Sequence, residues 1–241
     1  MSLEVFSKIF SYDPLMVVGF ASVFVVLLTL VILFVKTENR GLKIFFFVLL
    51  VLPVIGATVY ITGDTLTKVA ESPAKGPVHW HADYRVYRCG AELDLINPTG
   101  MSNKIGTATI HEHGDKRIHV EGLITSLAEV SLGSFFKIVG GEMTEDKLVF
   151  PTNSGLISMK NGDLCTDGNT GALQVFLWET KDKVATQRKL MDFPIYVMKP
   201  EELIPPGDCI IVEFGSPKDK TSYTCEQYDV AAVRGVLEVV K

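Results

Sequence analysis

Apolar and polar residues follow two different regimes along this chain. From Pro14 to Val35 the run PLMVVGFASVFVVLLTLVILFV carries no ionisable side chain over about 22 residues, enough for a helix to cross a hydrocarbon core. After KTENRGLK a second uncharged run extends from Ile44 to Ile61. Its Pro53 and Gly56 are tolerated in spanning helices, where neighbours re-satisfy the backbone. The first run is longer than the apolar part of a cleaved signal peptide, and another span follows it. The pattern predicts a retained transmembrane hairpin, with helices over 14–35 and 44–62 joined by a loop over 36–43. The residues before it, 1–13, place Leu3, Phe6, Ile9 and Phe10 at helical spacing, as in a short interfacial segment.

Beyond the second span the pattern changes. Residues 63–77 turn to Gly, Thr, Ser, Pro and charge, the composition of a linker, and a polar domain of about 165 residues occupies 78–241, enough for one core. Short β-rich runs dominate it: HADYRVYR, TATIHEH, RIHVEGLI, KLVF, LQVFLWET, FPIYVM and CIIVEFG, separated by Gly, Pro, Asn and Asp. One segment departs from this. In SLGSFFKIVGG, Leu132, Phe135, Phe136 and Val139 repeat at helical spacing, with Ser131 placed to cap and Gly140 to stop a short amphipathic helix. The predicted class is α+β: a mostly β extracytoplasmic domain preceded by a two-helix hairpin.

Charge sets the orientation. The loop between the spans holds Lys36, Arg40 and Lys43, whereas the N-terminal tail holds Lys8, so the positive-inside bias places the loop in the cytoplasm and both termini outside. All four cysteines, Cys89, Cys165, Cys209 and Cys225, lie in the polar domain. An even count there fits disulfides in an oxidising compartment, with three pairings open. No CxxC pair occurs, which removes the zinc-ribbon and thioredoxin readings. A net charge of −5 without a basic patch excludes nucleic acid as the expected partner and leaves the lipid bilayer and a metal ion.

The candidate chemistry lies in the histidines. All five fall in two groups, His79 and His81 in HWHAD and His111, His113 and His119 in HEHGDKRIH. Residues two apart on a strand share a face. His79, His81, Asp83 and Arg85 therefore point away from Trp80, Ala82, Tyr84 and Val86, the core set. Thr107, Thr109, His111 and His113 share one face of the next strand, and Arg117, His119 and Glu121 one face of its return. A three-residue connection over 114–116 sets His111 opposite His119; one over 115–117 sets His113 there, and a two-residue loop would set His113 against Ile118. Opposed imidazoles about 5 Å apart suit a single cation. Imidazole without thiolate favours zinc or copper, so the five histidines are the predicted ligands of a divalent transition metal.

Two alternatives remain on this reading: a zinc-dependent extracytoplasmic enzyme, with Glu121 or Glu112 beside the ligands, and a structural or pH-responsive domain without metal. No residue stands out as catalytic, because no phosphate loop, nucleophile elbow or Cys/His pair is present. Metallo-β-lactamases need His directly after the Asp, where this chain has Lys116. Amidohydrolase barrels need about 250 residues. HWHADYRVY, IHEHGDKRIHVEG, LGSFFKIVG and IPPGDCIIVEFG together resemble an uncharacterised family of membrane-tethered extracytoplasmic domains of archaea and small-genome bacteria. The resemblance covers most of 79–215 and implies that the two histidine groups belong to one domain. It implies no reaction, and a two-span anchor departs from the single span more usual in that family.

Overall fold

The computed structural model describes residues 12–35, 37–198 and 207–240; the proposed interfacial residues before Tyr12, and Lys36 of the loop, lie outside them. The chain divides into two compact units, 1–75 and 76–241.

The first unit is a helical hairpin. Helix α1 (Pro14–Phe34) starts where Asp13 Oδ1 accepts from Leu15 N at 2.8 Å, with Pro14 in the first turn, where its missing N–H costs nothing. Helix α2 (Arg40–Glu71) is capped by Asn39, whose Oδ1 accepts from the backbone N–H groups of Gly41 and Leu42. Both are long and apolar enough to cross a membrane. Tyr60 ties them, its hydroxyl accepting from Tyr12 N at 3.0 Å and donating to Tyr12 O at 2.9 Å. The second helix does not end at residue 62 as the composition suggested. It continues to Glu71 because one glycine does not stop a helix, and the turn after Gly63 is supported by Thr67 Oγ1 donating to Gly63 O and by the Lys68–Asp64 pair at 2.7 Å. The linker is correspondingly shorter.

The second unit is α+β and mostly β. Its main sheet contains β1 (Val78–Arg88), β2 (Ala91–Leu93), β3 (Ile105–Gly106), β4 (Ile110–Glu112), β5 (Arg117–Gly122), β9 (Ala172–Lys181), β10 (Val184–Leu190), β11 (Cys209–Gly215) and β12 (Glu238–Val239). Their order is β12-β10-β9-β11-β1-β5-β4-β3, with β2 on β1. Strand β1 is central, parallel to β11 and antiparallel to β5. A second, three-stranded sheet is formed by β6 (Glu142–Met143), β7 (Lys147–Thr152) and β8 (Gly155–Lys160).

Each face of the main sheet has its own cover. Helix α3 (Leu132–Ile138) is the predicted amphipathic helix, with Ser131 Oγ accepting from Ser134 N. Its Phe135 and Phe136 pack on Tyr84, ring centroids 5.2 and 6.5 Å away. On the opposite face helix α4 (Glu226–Val233) joins Tyr228 and Ala231 to Tyr87, Phe176, Trp178 and Ile211. Trp178 is fully buried, and its indole N–H donates to Tyr223 O at 2.9 Å. The disulfides are Cys89–Cys165 and Cys209–Cys225.

The segment FPIYVM is not the strand its composition suggested. Pro194 has no N–H for a ladder, and Phe193–Ile195 forms a 3₁₀ turn. Tyr196 O accepts from Leu132 N at 2.8 Å, and Val197 makes one bridge to Ser131. The run TATIHEH is also divided. Thr107 turns the chain between β3 and β4, its N–H donating to Ile110 O at 2.9 Å, so it does not continue the histidine face of β4.

Candidate metal centre

The sheet register assembles the histidines. His81 is opposite His119 across β1 and β5, and His111 is opposite His119 across β5 and β4. The connection is therefore the 114–116 arrangement. Glu112 holds this turn from the other side of the strand, Oε2 accepting from Gly114 N at 2.6 Å and Oε1 from Lys116 N at 2.9 Å. Gly114 and Lys116 both take positive φ, +81° and +58°. A lysine in that region is uncommon, and the carboxylate is what fixes it there. Glu112 thus supports the hairpin and does not stand among the imidazoles.

All five rings touch in one continuous group. Centroid separations are 4.6 Å for His79–His81, 4.8 Å for His81–His119, 4.9 Å for His113–His119, 4.8 Å for His111–His113 and 5.6 Å for the parallel pair His111–His119. His79, His81 and His119 go further: one ligand atom from each lies within 4.8 Å of the others, a spacing that can hold a metal ion. His111 and His113 stand beside this trio, on the β4 side of His119.

Hydrogen bonds select the free nitrogen of two rings. His119 Nε2 is 3.0 Å from Asp115 Oδ2. The carboxylate takes its N–H and leaves Nδ1 with its lone pair, the arrangement in which an acid orients a metal-binding imidazole. Glu121 Oε1 lies 3.2 Å from His79 Nε2 as a close charge partner. His113 is reversed: Nδ1 faces Asn103 O at 2.7 Å, leaving Nε2. Nδ1 of His81 and Nδ1 of His111 are buried without a hydrogen-bond partner.

The electrostatics keep the inner imidazoles neutral. Burial, with the neighbouring His119 and His79 rings and Arg117, lowers His81 to about 4, and burial also lowers His111. Burial alone would raise Asp115, but its hydrogen bond and charge interaction with His119, helped by Arg117, carry it below the usual carboxylate range. Asp83, which the shared face places beside His81, is pushed up by burial despite Arg117, whose Nε donates to it at 2.7 Å. A polar cleft of about 330 Å³ adjoins the centre, lined by Asp83, Arg85, Asp115, Arg117, Glu226 and Asp229 among others.

A pH dependence follows. His81 and His111 are held below the 6.5 of an unfolded histidine, so below 6.5 the unfolded chain binds more protons than the folded one. The contribution of His81 to stability is complete above 6.5 and lost as the pH falls toward about 4, and His111 adds in the same direction. The melting temperature of metal-free protein should therefore drop between pH 7 and pH 5, and drop less in His81→Gln. Equal drops in parent and variant would show that His81 is not buried neutral.

Sequence periodicity found the five rings, Asp83 and Glu121. It did not find Asn103, which acts through a backbone carbonyl and leaves no side-chain signal. Compared with family models, curated proteins and solved structures, the chain has no match.

Proposed function

We propose that the protein is a membrane-anchored, extracytoplasmic binder of a divalent transition metal, zinc or copper, with His79, His81 and His119 as its ligands. The observation that carries this reading is the trio itself, three imidazole ligand atoms within 4.8 Å of one another. Asp115 supports it by orienting the His119 ring, and Glu121 by placing a carboxylate 3.2 Å from His79. The chemistry favours borderline metals: the described domain has no free cysteine, so thiolate-seeking ions gain nothing here. Placement outside the cytoplasm rests on Lys36, Arg40 and Lys43, clustered between the two apolar runs, and on two disulfides, which persist in oxidising compartments.

One experiment addresses both parts. Right-side-out membrane vesicles carrying the full chain should bind added zinc saturably at pH 7, with no further binding after permeabilisation. Saturable binding that needs permeabilisation would reverse the orientation and keep the metal. The absence of saturable zinc or copper(II) binding in either state would remove the metal reading.

A second reading, a zinc-dependent enzyme, is favoured by the polar cleft, which shares Asp115 with the histidine centre. Turnover by the zinc-loaded chain, lost in an Asp115 variant that still binds zinc, would select it.

A further inference from the structure

The geometry points to a second, weaker cation site on His111 and His113, next to the first and accepting the same borderline divalent metals. This inference rests on the proposed metal-binding function. It accounts for what the trio leaves over. An ion on His79, His81 and His119 uses three of five touching imidazoles, and the other two form a pair of their own with ring centroids 4.8 Å apart at 84°.

The free nitrogens of that pair are defined. His113 commits Nδ1 to Asn103 O and presents Nε2. His111 is 1% exposed, and its Nδ1 has no partner in the protein. A buried polar atom left unpaired is costly and calls for an explanation; a cation taking the Nδ1 lone pair supplies one. The other side of the His111 ring turns Nε2 toward Glu121 Oε2 at 3.9 Å. Glu121 therefore stands between the two sites, one oxygen 3.2 Å from His79 and the other 3.9 Å from His111, and places a carboxylate charge near both. Strand β3 approaches β4 closely at this point: the residue facing His111 is Gly106, at φ +122°, where a Cβ would fall 2.5 Å from Ile110 O and 3.2 Å from His111 Cβ, so only glycine fits beside the ring's backbone.

Two imidazoles hold a cation less firmly than three, so the second ion should bind at least about tenfold more weakly. Zinc titration of the full chain in detergent micelles at pH 7, followed calorimetrically, should show two equivalents of unequal affinity. His113→Ala should remove the weaker equivalent and leave the tighter one, and His111→Gln should do the same, folding being checked by circular dichroism. His79→Ala should weaken the tighter equivalent instead. A single equivalent that His113→Ala does not change would overturn the second site and leave the first standing. A single equivalent weakened by His113→Ala would replace both by one shared ion, and two equivalents indifferent to His113→Ala would remove the assignment. No binding at all would instead overturn the metal reading on which the inference rests.

Discussion

His119→Ala should lower zinc affinity by at least about 100-fold, more than any other single substitution among the histidines. A complete structural zinc site is worth roughly 10–16 kcal/mol, so one ligand's share is roughly 3 kcal/mol, or about two orders of magnitude. His119 is the ring on which the others converge. It lies between His81 and His111 in the sheet, touches His113 as well, and is the member of the trio oriented by Asp115. Asp115→Asn keeps the ligand and loses only the charge that holds its ring, so it should cost less, about 10–100-fold. Competition with a chelating dye measures both. A folded His119→Ala protein with parental affinity would show that His119 is not a ligand.

The largest loss of stability should come from the disulfide with the longer reach. Cys89–Cys165 joins residues 76 apart in sequence, against 16 for Cys209–Cys225. The entropy removed from the unfolded chain grows with the closed loop, which gives about 4 kcal/mol for the first and about 3 for the second on the chain-entropy model. The structural cost adds to this, since Cys89 directly follows β1, the strand that carries His79 and His81. The double variant Cys89→Ala, Cys165→Ala should lose a large part of a stability that is typically about 5–15 kcal/mol. Urea denaturation of the full chain in detergent micelles, read by tryptophan fluorescence, would test it; a midpoint equal to the parent's would show that the bridge constrains little.

How much of this was legible in the sequence differs from element to element. The histidine face of β1 followed from a period of two, and the short connection reduced the hairpin to three arrangements, one of which the structure takes. The placement of β1 between β5 and β11 could not be read in the same way. Its partner β11 is more than a hundred residues away and parallel to it, and nothing local encodes that pairing. The disulfide connectivity was undetermined for the same reason. Propensity misled where single residues decide: Pro194 turned an apolar run into a 3₁₀ turn, and Gly63 did not end α2 because the residues after it bond back onto the helix. Helix α4, with the sequence EQYDVAAV, is too short and too mixed to announce itself; it exists through the core it closes and through the Cys225 bridge before its first turn.

That helix divides one sheet face into two solvents. Along β1 the side chains His79, His81, Asp83, Arg85 and Tyr87 all leave the same side of the strand, yet Tyr87 lies in the dry core under α4 while the His79 side chain is 65% exposed. The strand is a ladder through a dielectric gradient, with the Asp83–Arg117 ion pair at its middle rung. An imidazole two residues nearer α4 would take the place of Asp83, against the Arg117 guanidinium, whose charge opposes a cation; one beyond His79 would be open to water and would hold that ion no better than free histidine. The rungs proposed to hold a metal, His79 and His81, lie on the outer side of that ion pair, where a hydrated cation can reach them.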